Sequence, residues 1–333
     1  MTVLPDPLHP LEEDEAEFLF GAILDGKVGE ESIKSFLIGL SDRGETAGEI
    51  AGAARAMRAR MIPITAPSGA IDVCGTGGDG HHTLNVSTAV SLVVAACEVP
   101  VAKHGNRAAS SKAGAADTLE ALGLNLDRAA ETAEATLGDL GICFLFAARH
   151  HPAMGRLMPV RKAIGRRTIF NLMGPLANPA GVRRQLVGIA RPAYVPIYAD
   201  ALARLGTDHA MVVSGDEGLD ELSLAGGNEM TEVRGRELSL RRATPADAGL
   251  PVHPVEAIRG GDPAWNAAAL RRLLLGEHGP YRDAVLFNAA AALMVAGAAE
   301  SWAEGVEEAA EAIDKGLANT LLDCWIATTR ATA

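Results

Sequence analysis

From Ala70 onward, short apolar runs rich in β-formers alternate with helix-forming stretches, and that alternation restricts the chain to few folds. The runs are "AIDVCG" (70–75), "VPVAKHG" (99–105), "ICFLFA" (142–147), "RQLVGIA" (184–190) and "HAMVVSG" (209–215). Between them stand "VSTAVSLVVAAC", "SKAGAADTLEALG", "DRAAETAEATLGDLG" and "PAYVPIYADALARLG". Strands separated by helices pair in parallel through crossovers, which predicts an α/β fold: a mostly parallel sheet flanked by helices. Residues 229–245 read as a hairpin, and helices return from about residue 263 to Thr328. Residues 10–62 show helical spacing alone, with Phe18, Leu19, Ile23 and Leu24 as one apolar side and Thr46 with Glu49 as a capping box. The expected architecture is a small all-helical N-terminal domain, residues 1–68, packed on a larger α/β domain, residues 69–333. Helices from about 152–180 are expected to complete the first.

Charge narrows the partners. A formal net charge of −12 argues against a general nucleic-acid binder, whose affinity comes from neutralising phosphates. It leaves room for a small anion held by a local cationic cluster. No apolar run approaches the ~20 residues of a membrane span, and the acidic start "MTVLPDPLHPLEEDEAE" is unlike a secretory or transit leader. Cys74, Cys97, Cys143 and Cys324 lie in apolar segments without a C-x-x-C pair, the pattern of buried, reduced thiols. A cytoplasmic protein with no membrane or nucleic-acid partner is expected.

The stretch "DVCGTGGDGHHTLNVST" (72–88) places Gly75, Gly77 and Gly80 at the G-x-G-x-x-G spacing. A dinucleotide site needs the helix to open inside that motif and an acid at the end of the next strand. Here the helix cannot easily open before Asn85 or Ser87, and the next strand ends in Lys103-His104. The dinucleotide reading fails. What survives is more general: Gly75, Gly77 and Gly78 let amides face a ligand, and a helix start offers free N–H groups, both suited to phosphate. Asn85, Ser87 and Thr88 add side-chain donors. A loop that only turns tightly and caps a helix is the alternative.

Three further loops follow strands and so share the carboxyl edge of the sheet. In "KHGNRAASSKAG" (103–114), Lys103 and Arg107 are cations for phosphate, Asn106 donates and accepts, and Ser110 and Ser111 are capping hydroxyls. Lys112 reads as solvated. In residues 149–181, Pro152 suits a first helical position and Pro159 starts a second turn that aims Arg161 apart from Arg156. Arg166 and Arg167 read as a solvated helix end, and "NLMGPLANP" as a buried connector. His150 and His151 lack a third metal ligand at a recognisable spacing. In "SGDEGLDELSLAG" (214–226), Asp216, Glu217, Asp220 and Glu221 are either a solvent-facing turn or hard oxygen ligands for Mg2+ beside a phosphate.

Taken in order, "GTGGDG..T.NVST", "KHGNR..SSK.G.AD.LEALG", "HHPAM....PVRK.IG.RTIFNL.GPL.NP" and "DELSL" resemble the anthranilate phosphoribosyltransferase family of tryptophan biosynthesis. The resemblance implies a homodimer joined through the helical domain, anthranilate and phosphoribosyl pyrophosphate as substrates, and Mg2+, as two ions with substrate. By the same resemblance Gly75, Thr76, Gly77, Gly78 and Asp79 hold the pyrophosphate end. Thr83, Asn85, Ser87, Thr88 and Lys103 make the remaining phosphoribosyl contacts. Gly75, Asn106, His151 and Arg161 contact anthranilate, with Arg161 on its carboxylate. Ser87 lies near one metal, and Asp220 with Glu221 near the second. Ala113 and Ala115 stand where the family often has serine, and His81-His82 replaces a smaller or apolar pair. No nucleophilic Ser or Cys is expected; His104 either takes the departing proton or plays a structural role. The rivals are a nucleoside phosphorylase and a non-catalytic binder of nucleic acid or nucleotide.

Overall fold

Period-two burial along the strands builds a core on each side of one sheet. In the computed structural model, which describes residues 2–108 and 112–330, the chain runs α1 (Glu13–Leu24), α2 (Glu30–Arg43), α3 (Ala47–Arg58), β1 (Ile71–Gly75), α4 (Val86–Ala96) and β2 (Val101–Gly105). It continues through α5 (Ala115–Leu122), α6 (Leu126–Glu131), α7 (Ala133–Asp139), β3 (Ile142–Phe146), α8 (Ala147–His150), α9 (Pro152–Gly155), α10 (Met158–Ile164) and α11 (Met173–Leu176). After β4 (Arg184–Gly188), α12 (Val195–Arg204) and β5 (His209–Gly215) come the hairpin β6 (Asn228–Arg234) and β7 (Glu237–Ala243). Four helices close the chain: α13 (Pro263–Leu274), α14 (Pro280–Ala296), α15 (Trp302–Asp314) and α16 (Leu317–Arg330). Ser110 and Ser111, expected as capping hydroxyls, lie outside the described residues.

The seven-stranded sheet has the order β3-β2-β1-β4-β5-β6-β7. Neighbours are parallel as far as β5, and β6 and β7 add on antiparallel. Ile71, Val73, Leu186, Met211 and Val213 face α4 and the C-terminal helices, against Leu270, Phe287 and Trp325. Their sequence neighbours Val187, Ile189, Ala210 and Val212 face the other way, onto Tyr198 and Leu202 of α12 and onto Phe20, Ile50 and Phe170. The helical unit therefore shares its core with one face of the sheet. Phe170, from the 165–173 connector, meets Phe20 of α1 edge-on with ring centroids 5.8 Å apart.

Two expectations change on folding. α1 buries Ala16, Leu19, Phe20, Ile23 and Leu24, but Phe18 is 67% exposed. At about 100° per residue, position 18 points about 200° away from positions 16 and 20. Among the thiols, Cys74 and Cys143 are buried, Cys97 is half-buried and Cys324 on α16 is exposed. The Thr46–Glu49 capping box of α3 forms, and Glu49 also accepts from the Leu11 N–H at 3.0 Å, tying the N-terminal segment to the bundle.

Candidate active site

The strand order reverses between β1 and β4, which is where an open α/β sheet leaves a crevice at its carboxyl ends. Those two strands end in paired glycines, Gly75 opposite Gly188. The reason is steric: the segment carrying Asp220 crosses directly above them. A Cβ on Gly75 would collide with the Asp220 carboxylate, and one on Gly188 with its carbonyl. The missing side chains let the acidic turn descend onto the rim.

The glycine loop follows β1. Gly77, Gly78 and Gly80 have φ of +68°, +71° and +82°, left-handed values that strain any residue with a Cβ. Thr76 N–H donates to the Gly188 carbonyl at 2.9 Å, stitching the loop to β4. The Gly77 N–H donates to Asp220 Oδ2 at 2.6 Å. At the start of α4, the Ser87 N–H donates to Glu221 Oε1 at 3.1 Å. Two amides expected to take phosphate oxygens are thus both capped by carboxylates of the chain itself. Glu221 Oε2 and the Thr88 hydroxyl are buried without a hydrogen-bond partner among the described residues.

Lys103 lies beneath this loop on β2, only 2% exposed. Its ammonium donates to the Val73 carbonyl at 2.9 Å and to Ser87 Oγ at 3.3 Å. Burial pushes its pKa down, and the charges of Asp72 and Glu221 push it back up. Fully buried Asp72 accepts from the His104 N–H at 3.2 Å and from Asn178 Nδ2 at 2.8 Å. A second Asn178 hydrogen bond reaches the Ala102 carbonyl at 2.8 Å. The "NLMGPLANP" connector is buried as expected, and it also braces the strands that carry the site.

Of four acids in the turn after β5, only two turn inward. Asp216 pairs with Arg242 at 2.6 Å on the surface, and Glu217 accepts from the Ser223 hydroxyl. Burial, and then the neighbouring Asp79 charge, push the Asp220 carboxyl upward against the Gly77 amide and Arg167. Burial and the charges of Asp220 and Asp79 push Glu221 well up. Such a concentration of acids with an unpartnered Glu221 oxygen suits a divalent cation. Among the described residues no set of three His, Cys, Asp or Glu is arranged to hold a metal alone. That donor set fits Mg2+, which commonly takes one or two carboxylates and completes its shell with substrate oxygens and water.

His104 and His151 meet beside the rim, with ring centroids 5.1 Å apart. His104 Nδ1–H donates to the Gly174 carbonyl at 2.8 Å, which leaves Nε2 as an acceptor, buried and unpartnered among the described residues. Burial foremost lowers His104 to about 3 and His151 to about 4, so both rings are neutral near pH 7. His150 instead bonds the Ile62 carbonyl at 2.8 Å, a bracing role. Arg161 on α10 is half-buried and its side chain makes no hydrogen bond or ion pair among the described residues, leaving its guanidinium free for an anion. Asn106 accepts from the Arg107 N–H at 2.8 Å. Neither Arg161 nor Asn106 is bonded to the Lys103–Asp220 cluster among the described residues.

Two of the expected contact residues are also tied into the chain, and one basic residue lies elsewhere than expected. The Asn85 side chain was expected as a ligand donor, but its amide donates to the Ala113 carbonyl at 3.2 Å while its oxygen accepts from Thr118 and Asn266. It holds loops together. Thr83 forms an isolated bridge with Arg259. Arg166 is solvated and pairs with Asp42 as expected, but Arg167 is half-buried and donates to the Gly78 carbonyl at 3.0 Å. The added histidines are seated on this edge too: His82 has φ +55°, and His81 Nε2 lies 3.2 Å from the Glu217 carbonyl.

Residues 68–319 match the α/β domain of a glycosyl transferase family, and residues 7–61 match its helical bundle domain. The anthranilate phosphoribosyltransferase of Novosphingobium aromaticivorans is 83% identical over 327 residues, spanning 98% of this chain and 99% of the relative. That of Sphingopyxis alaskensis is 72% identical over 323 residues, 97% of each. Among solved structures, the anthranilate phosphoribosyltransferase of Thermus thermophilus superposes with a TM-score of 0.91 at 44% identity, covering 98% of this chain and 100% of that one. The Saccharomyces cerevisiae enzyme, in complex with PRPP and Mg, superposes with a TM-score of 0.87 at 28% identity, covering 96% and 93%.

Proposed function

This chain belongs to the anthranilate phosphoribosyltransferase family, and we propose that its β1–β2–β4 rim joins the phosphoribosyl group of phosphoribosyl pyrophosphate to the amine of anthranilate, releasing pyrophosphate. One observation supports this most directly. The Gly77 and Ser87 amides, buried Lys103 and the inward acids Asp220 and Glu221 form one bonded cluster on that rim. The reaction is Mg2+-dependent, with two ions alongside the substrate.

Breaking the bond from ribose C1 to pyrophosphate builds negative charge on the leaving group. The loop Gly75, Thr76, Gly77, Gly78 and Asp79 borders that charge, and its amides beyond the Thr76–Gly188 stitch face it where it develops, the largest kind of catalytic contribution. Ser87 would hold one Mg2+ and Asp220 with Glu221 the second, and the ions would supply further neutralisation of the pyrophosphate. Lys103, with Thr83, Asn85, Ser87 and Thr88, borders the phosphoribosyl group. Because Asp220 and Glu221 cap the Gly77 and Ser87 amides, substrate binding exchanges those carboxylates for phosphate oxygens.

The other half of the reaction is positioning. An aryl amine is neutral at pH 7, so it needs alignment with C1 more than prior deprotonation. Arg161 anchors the carboxylate of anthranilate, and Gly75, Asn106 and His151 border its ring. His104 presents Nε2 as an acceptor that orients the amine. A basicity lowered to about 3 makes this ring a poor keeper of the departing proton, which favours a hydrogen-bonding role over general base catalysis.

The helical bundle is proposed as residues 1–68 completed by about 152–180, with exposed Phe18 on its surface as part of a homodimer contact. Among the described residues no helix is long and apolar enough to cross a membrane. The reading is tested by the loss of anthranilate fluorescence on adding phosphoribosyl pyrophosphate and Mg2+, each omitted in turn. Activity instead on inorganic phosphate and a nucleoside would favour the phosphorylase rival.

A further inference from the structure

Arg167 lies between the helical bundle and the glycine loop, and no step described so far uses it. Its guanidinium donates to the Gly78 carbonyl at 3.0 Å. Its own carbonyl accepts from Ser41 Oγ of α2 at 3.1 Å, and the preceding Arg166 pairs with Asp42 of α2. The backbone that aims Arg167 is thus fastened to the bundle. We propose that Arg167 is a positioning residue for the phosphate-binding loop: by holding the Gly78 carbonyl it turns the Asp79 N–H to the opposite side, toward the leaving pyrophosphate.

The step from carbonyl to amide is geometric. In a trans peptide the C=O and N–H point in opposite directions, so fixing one fixes the other. Gly77 and Gly78, with φ of +68° and +71°, have no side chain to restrain their peptide planes. The orientation needs an outside partner, and Arg167 supplies it. A Cβ on Gly78 would come within 3.0 Å of Arg167 Nη1, so the close approach also depends on glycine. Arg167 stands 89 positions from Gly78 in sequence, and through Ser41 it couples the placement of a phosphate-facing amide to α2.

This inference rests on the phosphoribosyl-transfer reading, so wild-type chain is assayed in parallel with Arg167→Gln and Arg167→Lys. The expected result for Arg167→Gln is a KM for phosphoribosyl pyrophosphate raised about tenfold, the loss of one charge-assisted hydrogen bond. The KM for anthranilate stays within about twofold, and Arg167→Lys recovers part of the loss because an ammonium still donates to a carbonyl. Calorimetric binding of pyrophosphate with Mg2+ weakens in the same order. An unchanged KM for phosphoribosyl pyrophosphate in an active Arg167→Gln protein overturns the inference alone, as does an equal rise for both substrates. If that variant does not fold, Arg167→Lys decides: a rise confined to phosphoribosyl pyrophosphate supports the role, and no rise overturns it. A wild-type chain inactive on the substrate pair removes the parent reading and this inference with it.

Discussion

Asp220→Asn should make the metal-free protein more stable and the enzyme worse. Burial beside Asp79 pushes the Asp220 carboxyl up to about 7, from an ordinary value of 3.8. A carboxylate raised in the folded state contributes stability that is present below its unfolded pKa and lost as pH rises through the folded one. Between pH 5 and about 7 the unfolded chain is already ionised while the folded chain still holds the proton. Those roughly two units, at ~1.4 kcal/mol each, amount to about 3 kcal/mol lost by the wild type and not by the Asn variant. With an unfolding entropy of ~2.1 cal/mol/K per residue, that corresponds to a shift in melting temperature of about 4 °C for a chain of this size. The Asn oxygen can still accept from the Gly77 N–H, so the loop stays in place. Scanning calorimetry of both proteins with a chelator, at pH 5 and pH 8, reads the difference. The variant should gain on the wild type by about 4 °C between the two pH values, while its Mg2+-dependent turnover falls at least tenfold. A melting-temperature gap that does not change with pH would refute the electrostatic reasoning.

Arg161→Ala should raise the KM for anthranilate about tenfold or more, the loss of a charged hydrogen-bonding partner, and leave that for phosphoribosyl pyrophosphate nearly unchanged in steady-state kinetics. Lys103→Met reverses that selectivity and also lowers the melting temperature, because the Val73 carbonyl and the nearby acids lose a buried cation. Gly188→Ala should cut turnover strongly, since its methyl group displaces the Asp220 backbone from the rim; normal kinetics would show that the acidic turn can sit elsewhere. Phe18→Glu should yield a smaller particle by light scattering if that helix face joins two copies.

Much of the scaffold was legible because its signals are local. Five apolar runs at strand length separated by helical spacing imply the parallel sheet, and the carboxyl-edge rule brings Gly77, Ser87, Lys103 and Asp220 into one region from sequence alone. What stayed hidden depends on side-chain direction. Asp216 and Asp220 are indistinguishable in "GDEGLDELSL", and only the close pass over Gly75 and Gly188 selects the second. Gly188 itself gave no warning within the apolar run "RQLVGIA". Arg166 and Arg167 form one basic doublet in sequence, yet one reaches solvent and the other the glycine loop. Asn85 looked like a free donor because its partners Thr118 and Asn266 are distant in sequence. Phe18 belonged to an apolar cluster whose phase a single helix turn left ambiguous.

The most direct test of the carboxylate exchange is a crystal structure of this chain with phosphoribosyl pyrophosphate and Mg2+. The expected result is pyrophosphate oxygens on the Gly77 and Ser87 amides, with Asp220 and Glu221 turned to the metal. A substrate bound elsewhere, with both acids still capping those amides, would contradict it.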